Sequence, residues 1–295
     1  MQSVTLLDGG MGQELVRRSG KDPSPLWSAQ VMLDAPDLVE QLHIDFIQAG
    51  ASVITLNTYS ATPERLEAHS RVELFEPVQQ AACEVAKSAI VKAGVPNVQI
   101  AGCLPPLVAS YHPELTPARE IAVDTYTKIA AAQNEAVDFF MCETMASVAE
   151  AEYALEGASV FGKPVWVALT LDDKKPNCLR GGDPWQEAVQ RVQERGAAAV
   201  LLNCSRPETI DAIWSDFAKA CEVPFGAYAN GFTSVTDLKP GGTVDSLETR
   251  NDLDPEAYTA FAEGWVSQGA TLIGGCCEVG PAHIACLSEK LQAIN

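Results

Sequence analysis

Short apolar runs recur along this chain, and amphipathic segments separate them. That alternation limits the fold more than any other feature. The runs cover residues 4–8, 52–57, 98–102, 138–143, 165–170, 198–203, 224–229 and 271–274. Most are continuous in hydrophobicity, the pattern of strands covered on both faces in a parallel sheet. The helices between them have punctuated ends. Pro36 can occupy the first turn of a helix running to Gln48, with Gly50 as the stop. Its apolar positions Leu38, Leu42, Phe46 and Ala49 recur at helical spacing. Further helices are expected over 74–92, 185–194, 255–267 and 282–294, the first three followed by Gly94, Gly196 and Gly269.

Eight strands, each followed by a helix, predict an α/β fold, a (β/α)8 TIM barrel. No linker or internal repeat interrupts the pattern, so residues 1–295 are expected to form a single domain. A doubly wound open sheet is the alternative, and the missing G-x-G-x-x-G after the first strand weakens its dinucleotide-binding version.

Barrel enzymes carry their chemistry at the C-terminal ends of the strands. Those ends carry Asp8, Asn57, Cys103, Glu143, Thr170, Cys204, Asn230 and Cys276. A barrel serving only as a scaffold has no need of polar groups there.

Charge narrows the partners. With 39 acidic and 20 basic residues the formal net charge is −19, which repels phosphate backbones and anionic membrane surfaces. No nucleic acid or membrane partner is expected, and no apolar run has the length of a membrane span. The first twelve residues lack the basic and apolar regions of a signal peptide, so nine cysteines point to a reducing cytoplasm. Nothing in the sequence fixes the oligomeric state.

The cysteines are the sharpest signal. Cys276 and Cys277 stand in Gly274-Gly275-Cys276-Cys277, and Cys204 stands in Leu202-Asn203-Cys204-Ser205. Adjacent side chains on a strand point to opposite faces, so two neighbouring cysteines share a ligand only beyond the strand end. The two glycines supply that freedom. Catalytic zinc keeps three protein ligands and one open position, which three thiolates would satisfy. A substrate thiol entering that position would lose its proton to the metal. Cys83, Cys103, Cys142, Cys178, Cys221 and Cys286 are expected in packing roles.

Several stretches together resemble the homocysteine S-methyltransferase family. They are Leu7-Asp8-Gly9-Gly10-Met11-Gly12, Pro25-Leu26-Trp27-Ser28-Ala29, Gln48-Ala49-Gly50-Ala51 leading into Thr55-Leu56-Asn57-Thr58-Tyr59, and Leu104-Pro105-Pro106 with Ser110-Tyr111. Cys142-Glu143-Thr144, Asn203-Cys204-Ser205, and Gly274-Gly275-Cys276-Cys277 with Pro281-Ala282-His283-Ile284 complete the set. The resemblance implies the same barrel, a zinc ion on Cys204, Cys276 and Cys277, and a homocysteine α-ammonium held by Asp8 and Glu143. Gly9 and Asn203 join the expected substrate-binding residues. Two departures, Glu278-Val279 where many relatives have a Gly-Thr pair and Tyr228-Ala229-Asn230-Gly231-Phe232 where many have a proline-asparagine pair, bear on the methyl donor.

Trp27, Tyr59, Tyr111, Tyr228 and Phe232 fall in loops on the expected active face, and Trp27, Tyr59 and Tyr111 are the candidates for a donor pocket. Aromatic faces attract a sulfonium or quaternary ammonium. His43, His69 and His283 are expected to be structural, whereas His112 lies in a loop that can reach the barrel mouth.

The implied reaction is attack of homocysteine thiolate on the methyl carbon of an onium donor, giving methionine. S-methylmethionine is the first donor expected, ahead of betaine, S-adenosylmethionine or dimethylsulfoniopropionate. A zinc hydrolase, a non-catalytic zinc or thiol-binding protein and a phosphate-binding barrel are the rival readings.

Overall fold

A computed structural model of the protein describes residues 3–21, 26–236, 238–240, 242, 244 and 247–292. Pro25, part of one resembling stretch, lies outside the described residues. In chain order the first elements are β1 (Thr5–Leu6), α1 (Met11–Ser19), α2 (Ser28–Asp34), α3 (Pro36–Gln48), β2 (Val53–Thr55), α4 (Pro63–Ala68), α5 (Phe75–Ala93), β3 (Gln99–Leu104), α6 (Arg119–Gln133), β4 (Phe139–Met145) and α7 (Val148–Ser159). There follow β5 (Val165–Leu169), β6 (Leu171–Asp172), β7 (Lys175–Leu179), α8 (Trp185–Glu194), β8 (Ala199–Asn203), α9 (Pro207–Ala220), β9 (Phe225–Tyr228), α10 (Pro255–Ser267), β10 (Leu272–Ile273) and α11 (Pro281–Gln292).

Eight strands form one parallel sheet in the order β1-β10-β9-β8-β5-β4-β3-β2. A parallel bridge between Leu7 and Val53 joins its two edges, and Asp8 N donates to Val53 O at 2.9 Å. The sheet is therefore a closed (β/α)8 barrel, as the alternating runs predict, and the open doubly wound alternative is excluded. All eight expected strands are present. Their ends differ by at most two residues from the expected bounds, since edge residues of apolar runs pair or fray according to their neighbours.

Alternation along each strand separates two packed layers. One face points into the barrel, where Leu7, Val53, Ala101, Met141, Ala168 and Leu201 pack together. Phe139 stacks on Trp166 at the same layer's edge, ring centres 3.9 Å apart. The other face packs against the helices, with Trp185, Trp214, Phe217 and Trp265 among the largest fully buried side chains. The Trp214 ring centre lies 5.6 Å from those of Phe217 and Trp265. Aromatic pairs of this kind add about 0.5–1.5 kcal/mol beyond their buried area.

The sequence reading did not anticipate α1, α2, α4 or the antiparallel β6–β7 hairpin. The hairpin is polar, with Asp172, Asp173, Lys174 and Lys175 at its turn, and so lacks an apolar run. No helix among the described residues is long and apolar enough to cross a membrane.

Candidate active site

The C-terminal strand ends open into a cavity of about 820 Å³, measured out to its mouth. Six of the eight strand-end residues line it: Asp8, Asn57, Cys103, Glu143, Cys204 and Cys276. The other two stand behind Cys204. Thr170 Oγ1 donates to the Cys204 carbonyl at 3.3 Å, and Asn230 Nδ2 donates to the same oxygen at 2.8 Å. Cys204 has a φ of 46°. That left-handed conformation is costly for a side-chain-bearing residue, and the two donors hold it.

Sulfur atoms of Cys204, Cys276 and Cys277 all lie within 4.8 Å of one another. They make the only cluster of three or more metal-ligating groups among the described residues. Cys204 and Cys276 are joined as a disulfide with their Cα atoms 5.8 Å apart, a bridge the sequence did not suggest. The loop carrying Cys276 and Cys277 is stitched in place from several sides. Gly275 N donates to Asp8 O at 3.0 Å, Cys276 N to Ala229 O at 2.9 Å, and Gly231 N to Cys277 O at 2.8 Å. Tyr258 of α10 accepts from Ala229 N at 3.0 Å and donates to Gly274 O at 2.6 Å. Gly10 allows this close approach, because a Cβ there would stand 2.5 Å from the Cys276 carbonyl oxygen.

This set fits a soft divalent metal. Tetrahedral zinc with Zn–S bonds of about 2.3 Å needs sulfur atoms roughly 3.8 Å apart, which the cluster permits once Cys204 and Cys276 are reduced. Burial pushes the Cys277 thiol up to about 12, and the negative fields of Glu278 and Glu143 add to this. A thiolate therefore forms there at neutral pH only beside a cation.

Asp8 and Glu143 face the same cavity; Asp8 is buried and Glu143 is half-buried. Asp8 Oδ2 accepts from Thr55 N at 2.8 Å, and Oδ1 accepts from Thr55 Oγ1 at 3.2 Å. Burial raises the Asp8 carboxyl to about 8; Glu143 adds to the rise, and the Thr55 bonds oppose it. Burial likewise raises Glu143 to about 7, against a hydrogen bond from Cys103 Sγ at 3.0 Å. No lysine, arginine or histidine lines this cavity among the described residues. Two desolvated carboxyls with no resident cation are suited to receive one from a ligand.

The backbone re-aims Glu143. Pairing between β4 and β5 shifts register between Cys142 and Met145, and Thr144 has a φ of 63°. Such a bulge turns a side chain out of its regular position. Asn203 fixes it from behind: its Oδ1 accepts from Thr144 N at 3.1 Å, and its Nδ2 donates to Thr144 Oγ1 at 2.9 Å. Asn203 is fully buried and does not line the cavity; its amide braces the turn that follows Glu143. Gly9 does line the cavity.

Trp27, Tyr59, Tyr111 and Tyr228 form the aromatic part of the wall, whereas Phe232 does not reach it. Trp27 Nε1 donates to Gln13 Oε1 at 3.3 Å. The Tyr59 hydroxyl lies 2.8 Å from Ser110 Oγ. The Arg180 guanidinium sits 4.8 Å from the Tyr111 ring centre. His112 bonds Glu114 and the Leu238 carbonyl and does not line the cavity. His43 is fully buried and held near 4 by desolvation, hence neutral, and His283 bonds Gly280 N and the Leu253 carbonyl at a helix start. The Glu278 carboxylate points back to Arg17, 3.8 Å away, and does not line the cavity. Sequence reasoning missed Thr144 and Tyr258, which only the bulge and the packed α10 bring into play.

The homocysteine S-methyltransferase family model matches residues 5–291. The chain is 28% identical, over 98% of its length and 78% of the relative's, to S-methylmethionine–homocysteine S-methyltransferase of Rattus norvegicus. It is 27% identical to homocysteine S-methyltransferase of Escherichia coli, covering 98% of this chain and 96% of that one. Among solved structures, the oxidized form of the homocysteine methyltransferase MmuM from Escherichia coli superposes with a TM-score of 0.78 at 25% identity, covering 98% of this chain and 96% of that one. The metallated form of the same enzyme gives a TM-score of 0.79 at 24% identity over the same shares, which supports the fold. With nearly its whole length matched, the chain belongs to the homocysteine S-methyltransferase family.

Proposed function

We propose that this protein transfers a methyl group from an onium donor to the thiol of homocysteine, giving methionine. The observation that carries this reading is one cavity holding both a three-cysteine cluster and two desolvated carboxyls with no basic side chain among the described residues. Cys204, Cys276 and Cys277, all reduced, would hold a zinc ion. Bound zinc supplies the Lewis acidity that keeps a substrate thiol deprotonated at neutral pH. Three reduced thiols need a reducing compartment, which favours the cytoplasm.

Asp8 and Glu143 accept hydrogen bonds from the α-ammonium of homocysteine, and its positive charge brings both carboxyls back towards ionisation. That contact aims the thiol end of the amino acid towards the cysteines. Trp27, Tyr59 and Tyr111 present aromatic faces to the onium group. The thiolate sulfur attacks the methyl carbon, a new S–C bond forms, and the bond to the onium atom breaks. The electron pair stays on the departing atom, which becomes neutral. Opposite charges disappear in this step, which a water-poor pocket favours. No protein base is needed. S-methylmethionine is the first donor to test, because a relative named for that donor covers nearly all of this chain.

The test measures zinc content and methionine formation on reduced and oxidised protein and on Cys276→Ser, with S-methylmethionine and betaine offered separately. Expected are about one zinc per chain and turnover after reduction, with both lost in the disulfide form and the variant. Turnover that ignores Cys276 and chelation would sink this reading.

A further inference from the structure

We infer that the methyl donor binds as a zwitterion whose carboxylate is held by Arg65 in a second cavity beside the first. This rests on the methyl-transfer reading and assigns the side chain that receives the donor's carboxylate. The second cavity measures about 590 Å³ out to its mouth and shares Trp27, Tyr59, Ser110 and Val244 with the first. The shared wall contains two of the three aromatic rings assigned to the onium group.

The two cavities are opposite in charge. Asp8 and Glu143 line the first, with no basic side chain among the described residues. Arg65 and His69 line the second, with no carboxylate among the described residues. A donor lying wholly in the first cavity would set its carboxylate against two acids. A donor lying across the shared wall keeps its onium group on the acidic side and its carboxylate on the basic side.

Arg65 is equipped for that anion. It stands in the first turn of α4, just behind the Thr62 cap, which accepts from Arg65 N at 3.2 Å. Its Nη2 donates to the Pro106 carbonyl at 3.0 Å and to Ser110 Oγ at 3.3 Å, which fixes the guanidinium plane. Its Nε is buried without a hydrogen-bond partner, and no carboxylate pairs with Arg65 among the described residues. A buried, unused guanidinium donor is costly unless a ligand oxygen meets it. The guanidinium carbon lies 5.3 Å from the Tyr59 ring centre, and Tyr59 also senses the field of Glu143. Tyr59 therefore stands between the two charge environments, with its hydroxyl linked to the Ser110 that Arg65 also contacts.

The experiment measures calorimetric binding to the reduced, zinc-loaded protein, with turnover alongside. The probes are S-methylmethionine, which carries a carboxylate, trimethylsulfonium, which does not, and homocysteine. Arg65→Met is expected to weaken S-methylmethionine by roughly 10–100-fold while trimethylsulfonium and homocysteine change by less than about twofold. Arg65→Lys is expected to recover part of the loss, since it restores charge without the fork. Equal weakening of S-methylmethionine and trimethylsulfonium would show a structural role and overturn the inference. So would weakening of homocysteine alone, or no change at all. Wild-type protein that binds S-methylmethionine through Arg65 yet turns over no onium donor would overturn the methyl-transfer reading and leave the carboxylate site standing.

Discussion

Asn203 and Thr144 face each other across the strand ends of β8 and β4, and two hydrogen bonds of 3.1 and 2.9 Å lock them together. Thr144 is the residue in left-handed conformation that follows Glu143. Removing the amide frees the bulge to relax towards a regular strand, which swings the Glu143 carboxyl away from the cavity. Asn203→Ala is expected to raise the KM for homocysteine about tenfold, by the roughly 1–3 kcal/mol lost when buried partners go unsatisfied. Its zinc content should stay at the wild-type level. Steady-state kinetics with metal analysis decides the matter: loss of zinc, or an unchanged KM, would mean that the clamp does not serve Glu143.

Asn230 and Thr170 act on the cysteine side of the site. Both donate to the Cys204 carbonyl, which sits in a backbone conformation that few side-chain-bearing residues adopt. Supports behind a metal ligand typically change affinity by about 10–100-fold. Asn230→Ala is expected to weaken zinc binding by that amount, read by competition with a chromophoric chelator, while circular dichroism stays that of the folded barrel. Unaltered affinity would show that Thr170 and the strand ends suffice.

Much of this was legible in the sequence because barrel strands are buried on both faces and so appear as unbroken apolar runs. The eight strands and six of the eight strand-end residues at the cavity follow from that pattern. The three cysteines were legible because two glycines before a cysteine pair announce a loop able to turn both sulfurs one way. Asn203 was placed among substrate contacts, and the structure shows its amide bonded twice to Thr144. That relationship depends on a one-residue bulge, and a bulge leaves no mark on hydrophobic periodicity. Tyr258 was invisible for a different reason. It lies on the buried face of an ordinary amphipathic helix, and only the packing of α10 brings its hydroxyl to Ala229 and Gly274. Charge segregation between the two cavities was equally hidden, because Arg65 and Asp8 are distant in sequence and belong to different strand–helix units.

The two raised carboxyls give a pH dependence with a definite sign. Asp8 and Glu143 sit near 8 and 7 in the folded protein, above their ordinary values of 3.8 and 4.5. The folded state therefore holds more protons than the unfolded chain between those limits, and stability falls as pH rises through them. Without ligand, the protein is expected to lose stability from about pH 4 to pH 8 through these groups. Asp8→Asn should reduce that slope by up to about 1.4 kcal/mol per pH unit, the worth of one proton. Homocysteine should oppose the loss, because its ammonium stabilises the ionised carboxylates. Chemical denaturation of wild type and variant at several pH values tests this. Equal slopes in the two proteins would show that Asp8 is already ionised in the empty pocket.

Gly12 carries the last prediction. It lies in α1 with the Trp27 ring directly against it, and a Cβ at that position would stand 2.2 Å from the ring. Trp27 is itself held in a positive-φ conformation, 47°, so its ring has one supported place on the wall. Gly12→Ala therefore has two opposed effects. Alanine favours the helix by about 1 kcal/mol over glycine, while the methyl displaces the indole from the cavity. The first acts on global stability and the second on the donor face. If the Trp27 ring holds the onium group, the donor KM should rise roughly 2–30-fold, the range a cation–π contact of about 0.5–2 kcal/mol implies. Zinc content and homocysteine binding should be unaffected, since Asp8 and the cysteines contact other atoms of the wall. A donor KM that stays constant while a crystal structure shows the indole displaced would remove Trp27 from the donor pocket and leave Tyr59 and Tyr111 to hold the cation.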